Sequence, residues 1–462
     1  MLRSVVVVLI GALLLLSVSC DRKPKFSGTA GEVKLVILDP GHFHAALVQK
    51  TMYGQIAPRV RVYAPDGPDV DDYLKRVEGF NTRKENPTRW EEIVYKGSDY
   101  LEKMAREKKG NVLVTAGNNR QKTEYIKAAV DAGMNVLADK PMCIEKTGFD
   151  LLQTVFASAE KRGLLIKDIM TERHEITSIL QKALANNPEV FGEFEKGTPD
   201  DPAVTKESVH HFCKLVAGVP VVRPPWFFDV TQQGEGIVDV TTHLVDLVQW
   251  GCFPEQIIQY QTDIEMLKAK RWPTRIAQSE FEKVTGLKEV PEYLKPIRDS
   301  KGALNVFSNG EMIYKIKGIH VKVSVIWNFE APKGGGDTHF SVMKGTKARV
   351  IIRQGKEQNF KTELYVEPNP GTDLKGLGDA LKKAVTDLEK QYPGLMLDGK
   401  GKVWHIVISD QYRVGHEAHF GQVTETYLRS LADGKLPAWE VPNMIAKYYT
   451  TTTALDLAKQ NR

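Results

Sequence analysis

The chain has 462 residues, 42% of them hydrophobic and 26% charged, with 37 Gly and 23 Pro; this excludes a wholly disordered chain, a collagen-like repeat and a multi-span membrane protein. At about 150 residues per domain the length predicts two or three domains, each able to bury a core. Basic residues exceed acidic ones by only five (63 against 58) and are scattered, so there is no electrostatic footprint for nucleic acid.

Residues 1–20 read as a targeting segment. Arg3 precedes an apolar run, Val5 to Leu16, which is shorter than the roughly 20 residues of a spanning helix and matches the apolar stretch of a signal peptide. Its end, Ser17-Val18-Ser19-Cys20, resembles the lipobox of bacterial lipoproteins, with Ser17 where Leu is usual. That resemblance implies lipidation at Cys20, export, and an anchored lipoprotein facing the periplasm or cell exterior. The polar stretch 21–31 suits a tether. Cys143, Cys213 and Cys252 are odd in number and irregularly spaced, which suggests neither a disulfide framework nor a zinc site.

From residue 32 a β/α rhythm begins. Short apolar runs at 33–38, 59–63, 111–116, 135–138 and 164–170 predict strands; helix-period stretches at 123–132 and 149–162 end at Gly133 and Gly163, where a C-terminal cap is expected. The alternation predicts an α/β, doubly wound parallel sheet over 32–170. Its first strand-to-helix turn is Asp39-Pro40-Gly41-His42-Phe43-His44. Laid on GxGxxG, only the middle glycine survives, and Gly41, His42 and Phe43 are the candidate cofactor contacts. Asp66, after the second strand, stands where an acidic residue would bind a ribose and favour NAD over NADP; Asp-Gly is equally a turn signal.

The segment Ala132-Gly133-Met134-Asn135-Val136-Leu137-Ala138-Asp139-Lys140-Pro141 resembles the AG-x-x-V-x-x-EKP segment of the Gfo/Idh/MocA oxidoreductases, with Asp139 for Glu. Thr115-Ala116-Gly117-Asn118 is similar to the family's T-P-N turn, with Gly117 for Pro. Trp226 to Asp229 and Gly234 to Asp246 resemble its Trp-containing segment, glycine cluster and D-x-x-x-H helix, with Glu235 interrupting the glycines. The resemblance implies a Rossmann domain followed by an α+β domain (171–462) with a large open, mainly antiparallel sheet. It further implies bound NAD contacted by Asn118, Lys140 and Trp226, a carbohydrate substrate, and a homo-oligomer formed through that sheet.

Alcohol oxidation sends a hydride to nicotinamide and the hydroxyl proton to a base. His243 is the natural base, Asp239 four residues earlier is expected on the same helix face, and Lys140 would stabilise charge on the reacting oxygen. By resemblance Lys140 and His243 handle the proton. Arg173, after the fifth strand, and His210 and His211, in a loop-rich stretch, are candidate substrate contacts. His416 and His419 lack the H-E-x-x-H spacing, and a helix face near the cleft or plain surface is the preferred reading over a metal site.

The second half is β-rich. Residues 320–329 alternate, 340–353 read as a hairpin through Lys344-Gly345-Thr346-Lys347, and 444–458 predict a final helix. The polar stretches 263–300 and 369–401 are expected to be loops with short helices. The reading is an exported NAD-dependent oxidoreductase acting on a ring hydroxyl, such as C3, of a sugar or glycoside. Alternatives are a glycosidase using transient C3 oxidation and a non-catalytic sugar-binding lipoprotein. Free NAD should be scarce outside the cytoplasm, so the cofactor is expected to be tightly held and recycled in place.

Overall fold

The computed structural model describes residues 26–216, 219–399 and 402–460. The signal segment and Cys20 lie outside the described residues. Among the described residues, no helix is long and apolar enough to cross a membrane.

Six parallel strands form the first sheet: β1 (Leu35–Leu38), β2 (Arg59–Ala64), β3 (Glu91–Lys96), β4 (Val112–Thr115), β5 (Asn135–Asp139) and β6 (Ile166–Ile169). Their order, β3-β2-β1-β4-β5-β6, is doubly wound and places the switch point between β1 and β4. The interleaved helices are α1 (His44–Leu47), α2 (Pro68–Thr82), α3 (Tyr100–Glu107), α4 (Lys122–Ala132) and α5 (Lys146–Lys161). Strand β3 is missing from the sequence reading because it is an edge strand, EEIVYK, whose residues are largely solvent-facing and give no apolar run.

A short 3-10 turn, Thr171–His174, leads to α6 (Ile176–Ala185) and β7 (Val204–Cys213). A small ribbon, β8 (Leu215–Val216) with β9 (Val219–Pro220), precedes α7 (Val230–Gln233), α8 (Thr241–Cys252) and α9 (Tyr260–Asp263). Then come β10 (Ile264–Ile276), α10 (Gln278–Thr285), β11 (Leu304–Ile316), β12 (Ile319–Glu330), β13 (Thr338–Lys344), β14 (Ala348–Arg353), β15 (Glu363–Pro368), α11 (Leu374–Glu389), β16 (Met396–Asp398) and β17 (Trp404–Val407). The nine-stranded sheet runs β10-β11-β12-β7-β13-β14-β15-β17-β16. It is antiparallel except where β12 meets β7. The expected hairpin is β13–β14, paired Lys344 to Arg349.

The two polar stretches are more ordered than expected. Residues 264–276 form a long edge strand whose exposed positions are Glu265, Lys268, Lys270, Pro273 and Arg275, which hides it from a hydropathy reading. Residues 374–389 form a continuous helix that buries Leu377, Leu381 and Val385 against the large sheet.

The last helices, α12 (His416–Asp433) and α13 (Glu440–Gln460), return to the first sheet. Phe420, Val423, Tyr427 and Leu428 of α12 close the core over Leu35 and Ile37; Met444 and Tyr448 of α13 join the opposite core with Val36 and Leu38. On another face of α13, Ala446, Ala454 and Leu455 pack in the core of the large sheet. The parallel sheet is therefore covered on both faces only when the chain's last helices are in place.

Charges buried between the layers lock this arrangement. Lys447 on α13, 0% exposed, lies 2.7 Å from Asp168 of β6 and 2.8 Å from Asp246 of α8. Arg173 grips Asp246 through Nε and Nη2 at 2.6 and 2.7 Å and donates through Nη1 to Glu440 at 2.7 Å. Lys447→Ala would leave buried Asp168 without its cation and Asp246 with Arg173 alone, so we expect a loss of about 3–5 kcal/mol in a chemical denaturation series. An exposed ion-pair variant such as Lys375→Ala should leave the denaturation midpoint nearly unchanged.

Candidate active site at the strand ends

The carboxyl ends of the parallel strands open onto a cleft of about 560 Å³ whose far wall is the large sheet and the start of α12. Its size and its mix of aromatic and polar walls suit a small molecule. Lys140, after β5, donates to Asp239 Oδ1 at 2.6 Å, while Gln233 Nε2 donates to Asp239 Oδ2 at 3.0 Å. Asp239 differs from expectation. It precedes α8 in a tight turn, so its partner is Lys140 and not His243. The glycine cluster places that turn: a Cβ on Gly236 would lie 1.7 Å from the Ser308 carbonyl, so only glycine lets the lead-in to α8 lie on β11.

His243 lines the cleft, and its Nδ1 is buried without a hydrogen-bond partner. Burial, then the charge of Lys140 and of His416, holds its pKa well below the ordinary value, so the ring is neutral and keeps a free acceptor. At the first strand turn, His44 Nδ1 lies 3.0 Å from Asp139 Oδ2 and its Nε2 lies 2.9 Å from His416 Nε2. Burial pushes His42 far down and His416 down to about 3. Burial alone would raise Asp139, but His44, Lys122 and His42 outweigh it and hold the carboxylate well below its usual range.

The opposite wall carries residues that sequence reasoning missed. Asp337 lies 2.9 Å from His210 Nδ1 and 3.4 Å from His211 Nδ1, and is paired with Lys214. Arg223 donates to the carbonyls of Phe212 and His211 at 2.9 Å and packs over Phe227. The available signal was Gly334-Gly335-Gly336 ahead of Asp337, a loop before a strand. His210 and His211 are on β7, not in a loop; the His210 ring stacks on Trp327 and faces the cleft, whereas His211 is buried. His416 and His419 both line the cleft. Arg173 is corrected: its guanidinium is held in the interdomain ion network and does not face the cleft.

The nucleotide-side candidates are spread along the strand edge. His42, Phe43 and Lys140 line the cleft. A Cβ on Gly41 would lie 2.9 Å from Asp69 Oδ2 and 3.3 Å from Trp226, so a side chain there would crowd both. Trp226 Nε1 donates to Asp69 at 2.7 Å, and Asn118 Nδ2 donates to Gln232 Oε1 at 2.6 Å, so α7 and its lead-in cover this edge. Asp66 is on the surface, 79% exposed and 3.4 Å from Lys96.

The family model described as "Putative oxidoreductase C terminal domain" matches residues 180–459. A "putative oxidoreductase" from Parabacteroides merdae ATCC 43184 is 59% identical, with a TM-score of 0.93 over 95% of this chain and 100% of that one. The chain belongs to the Gfo/Idh/MocA oxidoreductases. Its fold is shared by a levoglucosan dehydrogenase in complex with NADH, at 11% identity and TM-score 0.60, covering 93% of this chain and 97% of that chain. It is also shared by a mutant 3-ketoreductase from Actinomadura kijaniata in complex with TDP-benzene and NADP, at 12% identity and TM-score 0.55, covering 91% and 97%. No curated protein matches the sequence.

Glu172, on the cleft wall, carries a pH signature. Burial, then the neighbouring Glu175, pushes its carboxyl up to about 7. The folded value exceeds the unfolded one, so ionisation costs nothing below the unfolded value, grows as pH rises toward 7, and is complete above it. Glu172→Gln should therefore raise stability at pH 8 by on the order of 1–3 kcal/mol and leave it nearly unchanged at pH 4, measured by denaturation at both values.

Proposed function

We propose that the protein is an exported oxidoreductase, lipid-anchored at Cys20, that exchanges a hydride between a ring carbon of a sugar or glycoside and a tightly held NAD. One observation carries this reading: the Lys140–Asp239 pair and His243, whose Nδ1 is buried without a partner, line one cleft at the strand ends of a doubly wound sheet. The named complexes of the two distant fold neighbours, one with NADH and one with NADP, support the cofactor.

Bound NAD would accept the hydride on oxidation and return it on reduction. The residues present suit its redox end, since Lys140, His42 and Phe43 meet at the strand ends and Gly41 leaves its backbone bare. Farther along the strand edge, Trp226 and Asn118, bonded to Asp69 and Gln232, would border the nucleotide and slow its loss. Lys140 Nζ donates to the reacting oxygen and stabilises negative charge as it develops there. His243 takes the hydroxyl proton on its free nitrogen, which its neutral state leaves available. Asp239 holds Lys140 in place. The rings of Trp327 and Phe227, with His210 and Asp337, supply the flat and polar surfaces that a pyranose presents itself to.

The test is to denature the purified protein, identify released nucleotide, and incubate native protein with a glycoside. NAD and a keto-sugar are expected. Freed aglycone would instead indicate the eliminating glycosidase, and absence of both nucleotide and product would overturn the proposal. Lys140→Ala and His243→Ala should each lower turnover by about 10²–10⁴-fold with the fold intact. Trp226→Ala should speed loss of nucleotide on dialysis.

A further inference from the structure

The first strand turn gathers more metal-binding chemistry than a hydride-transfer site uses. His42 Nδ1 and His44 Nδ1 lie 3.8 and 3.0 Å from the same oxygen, Oδ2 of Asp139. One donor atom from each of the three residues falls within 4.8 Å of the other two. Ligands on a tetrahedral first-row ion, at about 2.0–2.1 Å from the metal, stand roughly 3.3 Å from one another, so the three donors are already near a shared-ion arrangement. They come from the ends of β1 and β5, which flank β4 and whose separation the packed sheet fixes; His42 and His44 line the cleft, and Asp139 is buried.

We propose that His42, His44 and Asp139 hold a divalent first-row transition metal, with the remaining coordination positions open to the cleft. Two imidazoles and a carboxylate select such an ion over calcium or magnesium, which prefer all-oxygen sets. His416 completes the design from outside the ligand set. Its Nε2 meets His44 Nε2 at 2.9 Å, so it fixes the orientation of the His44 ring while the Nδ1 edge faces Asp139. The arrangement also accounts for one residue of the dinucleotide turn: His44 stands where its last glycine would. An ion there, with positions open to the cleft, would polarise an oxygen of a bound ligand. The inference goes beyond the nucleotide reading, and metal content is measured independently of it.

The experiment strips the full-length protein with a chelator, confirms by thermal melting that it stays folded, and titrates it with Zn²⁺ and Co²⁺ by calorimetry. One saturable equivalent is expected, with an upward melting shift and a Co²⁺ visible spectrum of nitrogen and oxygen ligation. His44→Ala and Asp139→Asn should remove that equivalent, and His416→Ala should weaken it by about 10–100-fold. His320→Ala, at an exposed histidine on the large sheet, should leave it unchanged. Should Asp139→Asn fail to fold, His42→Ala reads the same site from the turn. No saturable binding by the wild type, or binding that survives His42→Ala with His44→Ala, overturns the proposal.

Discussion

The whole architecture depends on how Lys447 is neutralised. An ammonium at 0% exposure would be prohibitively costly alone, and it is tolerated because Asp168 and Asp246 reach it from two different layers. Asp168 also accepts from Tyr448, and Asp246 is shared with Arg173, which is itself shared with Glu440. Strand β6, the turn after it, helix α8 and helix α13 are thereby held to one another by directional bonds that tolerate little sliding. Apolar packing could hold these layers together; the ion network also specifies their register.

That register is what brings the site together. Lys140 belongs to the end of β5 and Asp239 to the turn before α8, almost a hundred residues apart, yet they meet at 2.6 Å. The cleft then sorts its charges. Carboxylates such as Asp139 and Asp337 sit among cations and histidines and stay ionised, whereas burial holds His243 and His416 neutral. The result is a pocket of fixed negative charge, a neutral imidazole at His243 and cationic ends of lysine and arginine, arranged over aromatic walls. Such preorganisation favours chemistry in which charge develops on one oxygen.

Much of this was legible in the sequence where local pattern and environment agree. The buried strands β1, β4, β5 and β6 are apolar runs, and the Asp139-Lys140-Pro141 and Asp239 to His243 segments marked the two walls of the cleft. Legibility failed where solvent exposure or tertiary pairing decides. Strands β3 and β10 are edges with charged outward faces, so no apolar period announces them. Arg173 is a cation after a strand in either reading, and only the positions of Asp246 and Glu440 show that it serves the fold. Asp337, Lys214 and Arg223 come from loops and strand ends whose convergence depends on the nine-stranded order, which no local spacing encodes.

The central claim, hydride transfer to a resident nicotinamide at the strand-end cleft, is tested most directly by spectroscopy of the purified protein without added nucleotide. On addition of a glycoside, the account predicts a rise in the near-ultraviolet absorbance of reduced nicotinamide that is absent in Lys140→Ala. No absorbance change in protein shown to be folded, or an unchanged rise in Lys140→Ala, would contradict it.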